Sequence, residues 1–264
     1  MKIRIRLIRL QCLRSTTISM LCTVFLQATG YLCIQNVFSE SELVEFRRAA
    51  EALREAARPD DKESWWGKDD KGAPICTRVL RGGKQSVFRV LPNDPRVQRL
   101  FPLMPDGLRP WDPEAVDGVT VIYKTPQMKE GLSDLPWHRD CGMGGHAVMC
   151  PANNFSIYLH DATPESGELR FMPGSHTCIY GNEFSGRNLG ISVAAKAGSI
   201  TLHATDVMHM APPPLSKTGP YRTSVLLLFA RHSETHDGGR RYNDVLLGSD
   251  DGQIESLDDR LARG

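Results

Sequence analysis

The segment Pro136-Trp137-His138-Arg139-Asp140 carries a His-x-Asp pair, and His209 follows about seventy residues later. Two imidazoles and one carboxylate form the donor set of a facial triad, which holds Fe(II) and leaves other positions open. On a strand, side chains at i and i+2 share a face. His138 and Asp140 would then point together while Arg139 points away, and His209 would come from a different strand. The open positions suit a chelating 2-oxo acid such as 2-oxoglutarate, with one left for O2. Taken singly, His138 reads equally as a buried, hydrogen-bonded histidine and Asp140 as a turn cap before Gly142. The metal reading rests on the order and spacing of all three.

A second constellation follows. Arg222 comes thirteen residues after His209 and opens the apolar run Val225-Leu226-Leu227-Leu228-Phe229, with Ser224 two residues on. A cation at the edge of a buried strand needs an anionic partner, because an unpaired buried charge is expensive. The guanidinium fork matches a carboxylate with two parallel hydrogen bonds. Arg222 and Ser224 share a strand face and could grip the far carboxylate of a bound 2-oxo acid. A salt bridge to an acid of the protein itself is the alternative.

These residues need elements to position them. Ser39 with Glu42 three residues later has the form of a capping box, and it predicts a helix from about Glu40 to Ala57 with Leu43, Phe46, Ala49, Ala50 and Leu53 on its buried face. Before it, a helix end at Phe25 leads into a strand at Gly30–Ile34. Residues 62–83 are polar and rich in Gly, and they are predicted to form a long loop carrying Trp65 and Trp66. Asp94 followed by Pro95 predicts a short helix to Phe101. From Val116 onward the pattern is one of strands, at 118–123, 154–159, 168–172, 199–203 and 222–230. Pro173-Gly174-Ser175 and Ala197-Gly198-Ser199 mark turns between them. Many short strands after an initial helical region suggest a mainly β sandwich or barrel with flanking helices.

The length of 264 residues suits one domain with a large core. Residues 25–264 are expected to form it. Residues 1–24 read as a basic, then apolar extension of uncertain role: targeting, structural, or upstream of the natural start. The apolar stretch Ile18–Leu26 is too short to span a bilayer. A formal net charge of +1 gives no case for a nucleic-acid or membrane-surface partner. The seven cysteines are scattered and contain no Cys-x-x-Cys. That argues against a disulfide framework or structural zinc and for a reducing compartment, so a cytoplasmic protein is expected, with the targeting role of the N-terminal segment left open. Arg78, Arg81, Lys84, Arg89, Arg96 and Arg99 form a basic group. It reads as a solvated face or as a surface that meets an anionic small-molecule substrate. The oligomeric state is not legible in the sequence.

The chain resembles the phytanoyl-CoA dioxygenase family of iron- and 2-oxoglutarate-dependent oxygenases. The resemblance rests on Phe25–Tyr31 with the helix start at Ser39–Leu43, on Tyr123-Lys124-Thr125-Pro126 and on Trp137-His138-Arg139-Asp140. It extends through Ser166–His176, the most specific stretch, and Gly198–His203 with Met208-His209. It implies a double-stranded β-helix, a jelly-roll, cupin-like barrel with iron at its open end. It implies His138, Asp140 and His209 as ligands of Fe(2+), and Arg222 with Ser224 as the anchor of 2-oxoglutarate. Lys124, Thr120 and Ser156 fall where members line the cosubstrate pocket, with Tyr158 on the same face as Ser156. Where many members carry a small polar pair after the distal histidine, this chain has Met210-Ala211. The implied reaction is hydroxylation of an unactivated C–H bond of a small molecule, with O2 consumed and succinate and CO2 released. The rival readings are a jelly-roll metal-binding protein and a cupin-like metalloenzyme that does not use 2-oxoglutarate. His203 is expected near the metal ligands, and His176 is expected to be structural.

Overall fold

The computed structural model of the chain describes residues 8–9, 16–69, 71–104, 108–110, 113, 118–125, 128–130, 135–140, 152–177, 189–219 and 221–231. The first part contains β1 (Ile8–Arg9), α1 (Thr16–Thr29), β2 (Tyr31–Gln35), α2 (Glu40–Ala56), β3 (Ser64–Asp69), β4 (Pro74–Val79), α3 (Ser86–Arg89) and α4 (Pro95–Gln98). Then come β5 (Leu108–Pro110), β6 (Val119–Tyr123), β7 (Met128–Glu130), β8 (Leu135–His138), β9 (Ala152–Tyr158) and β10 (Leu169–Phe171). The last four strands are β11 (Ile191–Val193), β12 (Ile200–Ala204), β13 (His209–Ala211) and β14 (Thr223–Arg231).

The strands form two sheets. The larger runs β1-β2-β12-β9-β14-β6-β4-β3-β7, with β5 paired to β14, and the smaller runs β11-β10-β13-β8. Apart from the short β1–β2 pair, the strand pairs are antiparallel. This is the expected jelly roll, mainly β with flanking helices.

Alternation along the strands of the large sheet sends two sets of side chains to opposite faces. One set, including Val121, Phe155, Ile157, Ile200, Val225 and Leu227, packs with Leu43, Phe46, Ala50 and Leu53 of α2 in the main core. The other set is polar. Cross-strand register aligns Thr120, Leu226, Ser156 and Thr201 in one row and Ile122, Ser224 and Tyr158 in the next. Asn154 and His203 lie in a third row. This polar face looks toward the small sheet, so the helix-backed core buys rigidity and leaves the interior of the barrel for chemistry.

α2 is held as its sequence requires. Ser39 and Glu42 form the capping box, and the five expected residues are the buried ones. Glu42 also reaches Arg96, whose guanidinium bridges to Asp94, so the start of α2 is tied to α4. Asp94 caps α4, which spans one turn and stops at Gln98, short of Phe101.

Two expectations change. The stretch at 62–83 is largely a β-hairpin and not a long loop. β3 pairs with β4, and β4 joins β6, so the hairpin extends the large sheet. Its turn is closed by Asp69, whose side chain accepts from the amides of Lys71 and Ala73 at 2.8 Å. Trp65 is fully buried under the guanidinium of Arg78, 4.5 Å from its ring centroid. The second change concerns α1, which runs through the division placed between residues 24 and 25. Its Cys22 and Leu26 lie in the same core as α2, so at least the last turns of the presumed extension pack with the domain.

Candidate active site

The site is built where the small sheet meets the polar face of the large one. β8 and β13 are antiparallel neighbours with His138 directly opposite His209. Their ring centroids are 4.3 Å apart. Asp140 lies in the turn just past the end of β8, so the strand-pleat argument is not what brings it beside His138. It still converges: Oδ1 is 3.3 Å from Nε2 of His138, and Oδ2 is 3.5 Å from Nε2 of His209. Ligand atoms of the three residues all lie within 4.8 Å of one another, and among the described residues they are the one such group that fits a metal ion.

Each side chain is held from behind. Nδ1 of His209 is 3.0 Å from the carbonyl of Val207, which as an acceptor fixes the proton on Nδ1 and leaves the Nε2 lone pair facing Asp140. The guanidinium of Arg139 points away from the site and donates to the carbonyls of Asp206 and Ser175. Ser175 Oγ accepts from the amide of Met208, one residue before His209. The Pro-Gly-Ser turn thus braces both halves of the triad. His176, next in sequence, contacts the carbonyl of Gln27 at 2.9 Å and plays the structural part expected of it. Beside Trp137, Gly190 has a positive φ of 66°, and a Cβ there would fall 2.4 Å from the indole ring and 2.5 Å from the carbonyl oxygen of Phe171.

Burial and neighbouring charge set the protonation of Asp140 and His209. Burial raises the Asp140 carboxyl, but His209, His138 and His203 outweigh it and hold the group well below the ordinary carboxylate range. His209 is pushed down to about 3, first by burial and then by His138 and His203, with Asp140 opposing. Both are therefore ready to donate lone pairs at neutral pH, which fits a divalent cation.

A cavity of about 490 Å3, including its open mouth, runs from the triad to Arg222. Lys124, Ser156, Arg222 and Ser224 line it, together with Arg78 and His203. Arg222 is 3% exposed. No carboxylate lies within ion-pairing distance of it among the described residues, and its Nε is a buried donor without a partner. The nearest acid it senses is Glu168, which is paired with Arg170 at 3.2 Å. Burial lowers the Arg222 pKa, and Tyr158 and Glu168 only partly compensate. The Arg222 guanidinium lies 5.5 Å from the ring centre of Tyr158. The Tyr158 hydroxyl shares a hydrogen bond with Thr201, and burial pushes its pKa up to about 12. Tyr158 and Thr120 are buried but do not line the cavity. Lys124 donates to the carbonyls of Ala211 and Pro212, tying the end of β6 to the strand that carries His209.

The basic group divides. Arg96 is engaged by Glu42 and Asp94, and Arg81 and Lys84 by Glu63. Arg78 alone turns into the cavity wall. Asn154 and His203 both approach Asp140, and sequence pattern gave no sign of Asn154. His146, His232 and His236 lie outside the described residues.

No curated protein matches this sequence. Among solved structures, EvdMO1 superposes with a TM-score of 0.63 at 22% identity over 81% of this chain, which spans half of that one. AviO1 from Streptomyces viridochromogenes Tue57 gives 0.60 at 20% identity, covering 84% of this chain and 98% of that one. The epimerase SnoN, in complex with Fe3+, alpha ketoglutarate and nogalamycin RO, gives 0.62 at 18% identity, with 82% and 84% covered. These likenesses establish the barrel. The profile of phytanoyl-CoA dioxygenase (PhyH) matches residues 26–223, three quarters of the sequence. That match carries the enzyme class, a 2-oxoglutarate-dependent dioxygenase using iron and O2. The chain belongs to the phytanoyl-CoA dioxygenase family.

Proposed function

We propose that this dioxygenase hydroxylates an unactivated C–H bond of a small-molecule substrate, releasing succinate and CO2. His138, Asp140 and His209 would hold the iron, and Arg222 would anchor the far carboxylate of 2-oxoglutarate. The observation that carries the proposal is the buried guanidinium of Arg222 in the wall of the cavity that Asp140 and His209 also line, with no carboxylate at ion-pairing distance among the described residues and its Nε without a partner. A cation kept there without a protein counterion costs stability unless an anion arrives.

Iron and 2-oxoglutarate, once bound, supply the activation of O2 and the reducing equivalents. The chain's own residues bind, orient and exclude water. Ser224, across from Ile122 and Tyr158, adds a hydroxyl beside Arg222. Ser156 lines the middle of the cavity, and Lys124 closes its wall with two carbonyls. Thr120 and Tyr158 support this wall from buried positions, Tyr158 by flanking Arg222. Ala211 offers no hydroxyl, so the cosubstrate grip leans more heavily on the β14 side. Arg78, which lines the same cavity and is backed by the buried Trp65, is placed to meet an anionic group of the substrate.

The test is anaerobic reconstitution with Fe(II) and 2-oxoglutarate, watching for the weak visible charge-transfer band of the chelate. A screen of candidate small molecules for succinate release coupled to hydroxylated product follows. A protein that binds Fe(II) but shows neither the band nor dependence on 2-oxoglutarate would overturn the proposal in favour of a metal site without that cosubstrate.

A further inference from the structure

We propose that His203 and Asn154 are positioning residues that grip one oxygen of Asp140 and so decide which oxygen the carboxylate offers to the metal. The inference rests on the reading of His138, Asp140 and His209 as the ligand set.

The two residues are cross-strand partners on β12 and β9. Directly opposed side chains on one face of an antiparallel pair stand about 5 Å apart, so they reach the same point from the large sheet. That point is Oδ2 of Asp140. Nε2 of His203 lies 3.3 Å from it, and Nδ2 of Asn154 makes a short hydrogen bond to it. A carboxylate can only accept, so His203 must carry its proton on Nε2 and Asn154 must turn its amide nitrogen inward. Oδ1 meets only His138 among these groups. With Oδ2 occupied by two N–H donors, Oδ1 is the oxygen left to bind.

His203 has the placement of a support and not of a fourth ligand. It lines the cavity with His209, at 4.7 Å between ring centroids, but it does not join the group whose ligand atoms are mutually within 4.8 Å. It is 2% exposed and walled by Phe171 at 5.1 Å, which in turn stacks on Tyr31 at 4.5 Å. Its Nδ1 is buried with no hydrogen-bond partner. Packing on Phe171 holds the ring, and among the described residues its one side-chain hydrogen bond is the one to Asp140. The turn that carries Asp140 sits past the end of β8, without a strand ladder of its own, and this grip from the opposite sheet supplies the missing constraint.

The test compares wild type with His203→Leu, His203→Gln and Asn154→Leu, titrating apo-protein with Mn(II) by calorimetry and then Mn(II)-saturated protein with 2-oxoglutarate. Loss of an outer partner of a metal ligand typically costs about 10- to 100-fold in metal affinity. We expect that loss for His203→Leu and Asn154→Leu, with 2-oxoglutarate affinity at saturating metal within about twofold of wild type for Asn154→Leu, whose side chain does not line the cavity. His203→Gln returns an N–H near the Nε2 position and should recover most of the loss, which a purely space-filling role would not produce. The two leucine variants share one acceptor, so their effects should be less than additive when combined. Metal affinity within about twofold of wild type in folded His203→Leu and Asn154→Leu would overturn the inference. If His203→Leu does not fold, Asn154→Leu and His203→Gln decide it alone, and an affinity for His203→Gln no better than the leucine level of loss rules against it. Wild type that binds no metal would instead sink the ligand assignment.

Discussion

Replacing Arg222 by Met should weaken 2-oxoglutarate binding and leave the apo-protein as stable as before or more so. The guanidinium is buried with no carboxylate at ion-pairing distance among the described residues, so in the apo state its charge is a liability. An apolar side chain of similar length removes that cost, and such replacements of buried charges are often neutral or stabilising by about 1–4 kcal/mol. Binding moves the other way. Removing one member of a buried charge pair costs about 2–5 kcal/mol, or roughly 30- to several-thousand-fold in affinity. The assay is thermal unfolding of Mn(II)-loaded protein with and without 2-oxoglutarate at one hundred times the wild-type Kd. Wild type gains about 2.7 kcal/mol from that ligand excess, which for a chain of this size is a rise in Tm of about 5–11 °C. The variant gains from about 0.9 kcal/mol down to almost nothing, by the same mass-action relation. Arg222→Lys should recover part of the shift, since an ammonium cannot reproduce the fork. Ser224→Ala should lose about 1 kcal/mol, near fivefold. An undiminished ligand-induced rise in Arg222→Met would refute the anchor assignment, and a large drop in apo Tm would refute the claim that the charge is uncompensated.

Other consequences are checked more simply. If Asp140 is a ligand as proposed, Asp140→Ala removes more than a support, so succinate formation coupled to product should fall by more than the about 10- to 100-fold typical of outer partners, and coupled turnover near wild type would contradict the triad. Gly198 has φ of 79°, and a Cβ would lie 2.4 Å from the carbonyl oxygen of Phe38. Gly198→Ala should therefore cost at least about 2 kcal/mol in a urea melt, since strain of this kind adds to a backbone clash. The Arg96 guanidinium beside Glu42 pulls that carboxyl from 4.5 down to about 2. The stabilisation is therefore present above pH 4.5 and lost as the pH falls toward 2. Both partners are about one third exposed, so Glu42→Gln should cost only about 1 kcal/mol at pH 7, and its stability difference from wild type should vanish near pH 2.

Local chemistry was legible where it is written in consecutive residues. Ser39 and Glu42 specify the start of α2, and the apolar spacing from Leu43 to Leu53 specifies its buried face. The hairpin at β3 and β4 was missed because its sequence is polar and Gly-rich and its buried anchor, Trp65, reads like a loop aromatic; only pairing with β6 makes it part of the large sheet. His138, His209 and Arg222 were found by spacing; the fold sets His138 opposite His209 and brings His209 and Arg222 to one cavity. Asp140 arrived for a different reason than the pleat, in a turn. His203 was expected near His209, but the part of Asn154 was illegible, because its partnership with His203 exists only in the register of β9 and β12.

The place of β14 has a consequence for how the chain is made. It is the last described strand in sequence, yet it lies in the middle of the large sheet, between β9 and β6. Until residues 223–231 leave the ribosome, those two strands face a gap where their common partner belongs. Unpaired strand edges are templates for wrong partners, and closure over so long a separation is slow. At about 5–20 residues per second, the 73 residues from Tyr158 to Arg231 take roughly 4–15 s to emerge. A nascent chain must survive that interval with its future centre open. Arg222 enters with the strand that seals the gap, so closure of the sheet and delivery of the proposed carboxylate anchor are a single folding event. Stalled or truncated chains that stop short of Arg222 and β14 would be prone to aggregation and would also lack the proposed anchor.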